Sequence, residues 1–342
     1  MRSATPPAIV VVAIGMAALG AAQTGSRNTR VALDDLGSWT YKGFSGGLYE
    51  GGSNAVPPDH SAAGMDKARQ IVPRDVTGAP SALGRYALVS VGMSNTTQEF
   101  CGATPCAPGT FMTQAAADPH VTHGTLPRVD GAAGGQTADT WDSPTDANYD
   151  RVRDTRLAPR GLTEAQVQIA WVKVANAGPT VSLPAANADA YRLVTQTGNI
   201  VRALRVRYPN LQHVYLSTRI YAGYATTTLN PEPYAYESAF AAKRVISAQA
   251  DQMRGAPPDP RAGNLDYDTG PAPWIAWAAY LWADGRNARS DGLTWEPADF
   301  AADGTHPSPA GRAKVGKMLL GFFKESGHAR CWFALAAPCT SG

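Results

Sequence analysis

Apolar positions in this chain fall in short blocks separated by polar, Gly- and Pro-marked stretches. Four blocks, Tyr86–Val91, Leu126–Asp130, Val167–Val174 and His213–Thr218, are rich in Val, Leu or Ile and bounded by Gly, Pro or Asn. Continuous runs of this length predict strands covered on both faces, as in a parallel sheet. Between and after them the period changes. Across Ala188–Tyr208, the residues Tyr191, Val194, Val201, Leu204 and Tyr208 fall near one helical face, and Pro209 ends the helix. Tyr236–Met253 predicts a second helix. Val315, Met318, Leu319, Phe322 and Phe323 predict a third, capped by Ser308 with Pro309 at its first position. Strands alternating with helices predict an α/β fold, a three-layer α/β/α sandwich on a mostly parallel sheet.

The stretch 23–85 lacks a sustained period and is rich in Gly, Ser and Pro over 34–85, so it reads as an ordered extension packed on the body. The body spans 86–325, and 326–342 is a short tail. The first residues have a different character. Arg2, the apolar run Ala8–Leu19 and the small residues Gly20, Ala21 and Ala22 predict a signal peptide over 1–22, cleaved near Ala22. That run is too short to span a bilayer, and no later stretch is long and apolar enough. A secreted or periplasmic protein with no stable membrane span after signal removal is expected. Four cysteines in two local groups, Cys101 with Cys106 and Cys331 with Cys339, fit an oxidising compartment. Of the three possible pairings, these two local loops are the simplest.

Composition narrows the function. The 30 Lys and Arg nearly balance 28 Asp and Glu among 342 residues, and the resulting charge of +2 argues against nucleic acid as a partner. Neither a dinucleotide-binding glycine motif after a strand nor a phosphate loop is present, and no cofactor is expected. Asp118, His120 and His123 are spaced too loosely for a metal site and read as a surface loop, so no metal is expected.

Chemistry is sought at the carboxyl ends of the strands, where open parallel sheets bind ligands. The first strand run leads into Gly92-Met93-Ser94-Asn95-Thr96, which presents a serine hydroxyl at the sheet edge. A serine needs an imidazole to take its proton, and the imidazole needs a carboxylate to fix its tautomer. Asp303-Gly304-Thr305-His306-Pro307, just before the last helix, supplies both, three residues apart across a turn. The closing glycine of a Gly-x-Ser-x-Gly elbow is missing, which excludes that arrangement.

These two segments resemble the first and last blocks of the SGNH/GDSL hydrolases. Asp130-Gly131-Ala132-Ala133-Gly134-Gly135-Gln136-Thr137 is similar to their second block. The resemblance covers about residues 86–325 and implies a flavodoxin-like sheet. It also implies Ser94 as nucleophile, His306 as general base and Asp303 as the carboxylate that orients it. The backbone N–H groups of Ser94 and Gly135, or of Gly134 in the other register, would face the oxyanion. Two departures stand out. Met93 replaces the acidic residue of the Gly-Asp-Ser triplet, and the third block's asparagine is displaced. At that strand end either Lys173, the first choice, or Asn176 would complete the oxyanion hole.

The aromatic stretches 219–237 and 273–282 follow toward the same edge. Asn95, Arg219, Tyr221 and Trp277 are therefore expected to contact substrate. Together these readings describe an exported serine esterase or deacylase acting on a small-molecule or glycan ester, O-acyl groups on carbohydrate among them. The alternative is a catalytically inactive carbohydrate-binding or surface protein on the same scaffold.

Overall fold

The computed structural model describes residues 1, 26–27 and 29–338. Apart from Met1, the expected leader lies outside the described residues, and so does Cys339. Five strands build the main sheet: β1 (Ala87–Gly92), β2 (Arg128–Asp130), β3 (Val167–Lys173), β4 (His213–Leu216) and β5 (Trp274–Trp277). They are hydrogen-bonded in the order β2-β1-β3-β4-β5, and every pair is parallel. This is the flavodoxin-like order, in which the chain leaves β1 in one direction for β2 and returns past it to β3. All residues of β1, β3, β4 and β5 are buried, as their apolar runs require.

β5 corrects the sequence reading, in which residues 273–282 were an aromatic excursion. Its Trp274, Ile275, Ala276 and Trp277 pair in register with His213 to Leu216 of β4. The indoles fill the two faces of the sheet, Trp274 on one and Trp277 on the other.

Helices cover both faces. Val89, Ala170, Val214 and Ile275, adjacent in register, pack against α4 (Asp189–Arg207) and α5 (Tyr234–Met253). Leu88, Ile169, Trp171 and Tyr215 pack on the other side against α1 (Pro58–Arg69), α2 (Ser94–Phe100), α3 (Phe111–Ala117) and α6 (Pro309–Glu325). α6 begins as expected, with Ser308 Oγ accepting from Gly311 N and Pro309 at the first position. Among the described residues no helix is long and apolar enough to cross a membrane.

The segment before β1 bonds the body through its backbone carbonyls. Leu48 O accepts from the Trp277 indole N–H at 2.7 Å, and Val31 O accepts from the Tyr236 hydroxyl at 2.6 Å. α1 lies against the outer edge of the sheet, where His60 Nε2 bonds the β5 carbonyl Ile275 O at 2.8 Å. An exposed strand edge invites pairing with another chain, and α1 blocks this one. Beside it, His60, His213 and His328 surround the Trp274 indole with ring centroids 5.1, 4.9 and 4.9 Å away. Burial pushes all three imidazoles toward the neutral form, His213 down to about 3 and His328 to about 4.

Cys101 and Cys106 are disulfide-bonded with Cα atoms 4.5 Å apart, closing a loop directly after α2. Asp118, His120 and His123 do lie in a loop, where the Asp118 carboxylate is taken by Lys324 Nζ at 2.6 Å.

Candidate active site

β1 must turn sharply to present Ser94, and Gly92 makes the turn possible. Its φ is +149°, and a Cβ there would sit 2.1 Å from Lys173 O. No side chain fits, so the glycine is a steric requirement. Met93 is extended and Ser94 opens α2. As a first helical residue, Ser94 has a backbone N–H without an intrahelical acceptor.

The other half comes from the turn before α6. Asp303 Oδ1 accepts from the backbone N–H groups of Thr305 at 2.9 Å and His306 at 3.0 Å. Its second oxygen, Oδ2, lies 2.5 Å from His306 Nδ1. Burial works against the Asp303 charge, but the N–H groups of His306 and Thr305 and the His306 ring outweigh it and hold the carboxyl at about 2. Gly304 tightens the turn at φ +61°, with the Tyr224 carbonyl 1.9 Å from where a Cβ would stand. Asp303 O in turn accepts from Thr226 N at 3.0 Å, so the loop after β4 braces the turn.

The two halves meet. Ser94 Oγ lies 2.8 Å from His306 Nε2, across 212 residues of sequence. The imidazole is bridged between hydroxyl and carboxylate, and the three side chains remain partly exposed. This is the arrangement that lets a serine lose its proton as it attacks.

A second network holds the frame. Asp130, the last residue of β2, accepts Ser90 Oγ at 2.6 Å on one oxygen and Thr97 Oγ1 at 2.6 Å on the other. Ser90 Oγ accepts from Gly131 N at 3.1 Å, and Ala133 N donates to Gly92 O at 3.1 Å. The loop after β2 is thereby fixed beside the serine turn. In it Gly135 is exposed, with φ +76°, and Gly134 is exposed beside it. Burial raises the Asp130 carboxyl, opposed by the Ser90 and Thr97 hydroxyls. The sequence reading had no role for Ser90 or Thr97. A hydroxyl inside an apolar strand, facing an aspartate at the end of the next, was the available signal.

Several expected contacts go elsewhere. Lys173 does not face an open site: its side chain is fully buried in an ion pair with Glu99 of α2. Burial pushes the Glu99 carboxyl up and the Lys173 ammonium down to about 8, while each stabilises the other's charge. The Asn176 amide donates to Asp189 O at 3.1 Å, and its own carbonyl accepts from Asn230, so it ties loops together. Trp277 is core, 3% exposed. Asn95 and Arg219 are 1% and 2% exposed and bond Thr305 O rather than solvent. Tyr221 keeps partial exposure, its ring 5.0 Å from Tyr224 and 6.1 Å from Trp282.

Two cavities stand out. An apolar one of about 210 Å³ lies between α4, α5 and Phe44, and no site residue lines it. An open one of about 450 Å³ adjoins the loop after β2; most of its lining residues are polar, but more of the surface they present is apolar than polar. Among the described residues no group of three or more His, Cys, Asp or Glu is placed to hold a metal ion.

No protein-family model matches the chain, and no curated protein does. Among solved structures, an inferred acylhydrolase from Bacteroides fragilis NCTC 9343 is 15% identical over 74% of this chain and 91% of its own, with a TM-score of 0.34. A carbohydrate esterase family 2 enzyme with a carbohydrate binding domain, from Corynascus thermopiles (Myceliophthora fergusii), is 14% identical. That match covers 70% of this chain and 66% of the other, at a TM-score of 0.36. An inferred GDSL-like lipase from Parabacteroides merdae ATCC 43184 is 11% identical over 73% and 96%, at 0.33. At such identity no residue role carries across.

Proposed function

We propose that this chain is an exported hydrolase of carboxylic esters that works through an acyl-enzyme on Ser94. The observation that carries the reading is the unbroken chain from Ser94 Oγ through His306 to Asp303 at the carboxyl end of a parallel sheet. His306 Nε2 takes the Ser94 proton as Oγ adds to the ester carbonyl, then returns it to the departing alcohol. Water repeats the sequence on the acyl-enzyme and releases the acid. Asp303, ionised far below neutrality, holds Nδ1–H and stabilises the imidazolium. The backbone N–H groups of Ser94 and Gly135 are the donors proposed for the oxyanion.

The open cavity beside the loop after β2, with Asp139 and Asp146 in its lining, is compatible with a hydroxyl-bearing alcohol part such as an acylated carbohydrate. Asp139 and Asp146 bring carboxylates to that lining, whereas the Asn148 amide is engaged with Gln136 and Thr140 and the Arg151 guanidinium with Asn148 and Gly131.

One observation favours the alternative of a non-hydrolysing glycan-binding protein. With the Lys173 and Asn176 side chains engaged elsewhere, only backbone donors are proposed for the oxyanion. One missing donor typically costs about 10²–10³ in turnover. The two readings separate on Ser94→Ala. In an esterase it removes about 10⁶-fold of turnover and all labelling by a fluorophosphonate, with the melt preserved. In the alternative, saturable glycan binding persists in the variant and the parent protein forms no adduct on Ser94.

A further inference from the structure

Asn95 and Arg219 are polar, sealed from solvent, and converge on one atom. Asn95 Nδ2 donates to Thr305 O at 3.0 Å, and Arg219 Nη2 approaches the same oxygen at 3.4 Å. Thr305 is 1% exposed and sits between Asp303 and His306. Its N–H donates to Asp303 Oδ1, and its hydroxyl pairs with Thr227 Oγ1 at 2.7 Å. The carbonyl is thus one of the points where the acid–base turn is gripped from outside, beside Thr226 on Asp303 O and Thr227 on the Thr305 hydroxyl.

Asn95 is the residue after Ser94, so its bond joins the helix carrying the hydroxyl directly to the turn carrying the imidazole. The next two residues grip other parts of the frame. Thr96 Oγ1 donates to Lys173 O at 2.6 Å and Thr97 Oγ1 to Asp130 at 2.6 Å. Of residues 95–97, Asn95 is the one that reaches the Asp303–His306 turn. The direct link between the halves, Ser94 Oγ to His306, is broken each time the hydroxyl is acylated. The link through Asn95 involves no reacting atom and survives the whole cycle.

We infer that Asn95 is a positioning residue, seconded by Arg219, that holds His306 in register with Ser94 through the Thr305 carbonyl while the serine is acylated. The inference rests on the esterase reading above. His306 must act once as base and once as acid in each half-reaction, so its position matters most when its bond to Ser94 is absent. At 1% exposure Asn95 has no surface with which to touch substrate, so its effect must pass through His306.

The test measures fluorophosphonate labelling of Ser94 across pH, and kcat and KM on a short-chain p-nitrophenyl ester, in the mature protein. Asn95→Ala is expected to lower the limiting labelling rate and kcat by up to about 10²-fold. KM should stay within about twofold and the melt remain cooperative. Asn95→Leu, close in size but without the amide donor, is expected to be at least as slow; a residue that merely fills space would tolerate it. Asn95→Ser replaces the alanine variant if the latter fails to fold. A cooperatively folded variant that labels at the parental rate overturns the inference, and so does a fall in rate matched by loss of substrate binding. If the parent protein shows no labelling that depends on His306, the esterase reading itself fails, and the two failures are told apart.

Discussion

The chain holds two acid–base pairs near the same strand ends, Glu99–Lys173 and Asp303–His306, and they behave in opposite ways. Glu99 and Lys173 are wholly sealed, and burial presses both toward neutrality. Asp303 and His306 are part-exposed, at 31% and 22%, and two backbone N–H groups keep the carboxylate charged. Contact between opposite charges is common to both. What differs is access, and who else supplies hydrogen bonds. The sealed pair fastens α2 to β3, whereas the open pair is free to pass a proton to a neighbour. A lysine at an expected catalytic position is therefore uninformative until its burial is known.

Breaking the open pair should have the largest effect. Asp303→Asn keeps the shape but allows the wrong imidazole tautomer, and ester turnover is expected to fall by about 10⁴. Steady-state kinetics alongside a thermal melt checks this; a fall below tenfold would mean that Asp303 is not the orienting carboxylate. Breaking the sealed pair should damage folding instead. Lys173→Met strands a buried carboxylate and is expected to cost about 3–5 kcal/mol in denaturant unfolding, largely recovered in Lys173→Met/Glu99→Leu. A single variant as stable as the parent would remove the contrast.

The histidines sharpen the comparison with a smaller effect. His328 is buried beside Trp274, unlike His306, and its folded pKa lies at about 4 against 6.5 for the free side chain. Between those values the unfolded chain binds the extra proton, so native stability falls as pH falls from 6.5 toward 4. Each such imidazole contributes a slope of up to about 1.4 kcal/mol per pH unit. His328→Gln is expected to flatten the slope measured by urea unfolding from pH 7 to 4. An unchanged slope would mean that His328 is protonated in the native state.

Legibility from sequence followed locality. The runs behind β1 to β4 were readable because their apolar pattern lies within a few residues, and the Asp303–His306 contact because its partners stand three residues apart. β5 was not, since its four residues include two tryptophans and follow Pro273, which looks like a loop. Lys173 was misjudged because its partner lies 74 residues away, and Asn95 because its acceptor lies 210 away. A polar residue beside a candidate nucleophile reads as a substrate contact until the fold shows it sealed. Gly92 and Gly304 were visible as turn residues, but the carbonyls that forbid a side chain there belong to other segments.

The cap that α1 places on the β5 edge also has a cost in time. His60 and its partner Ile275 are separated by 215 residues. During synthesis at about 5–20 residues per second, that interval lasts roughly 10–40 s. Throughout it the face of α1 that carries His60 and Gly64 has no β5 edge to settle on. The earlier strands can pair before the last one emerges, but the molecule closes only when its beginning finds its end. Long-range closure of this kind is slow and leaves apolar surface open to other chains. A chain held unfolded until its full length is available would avoid that exposure.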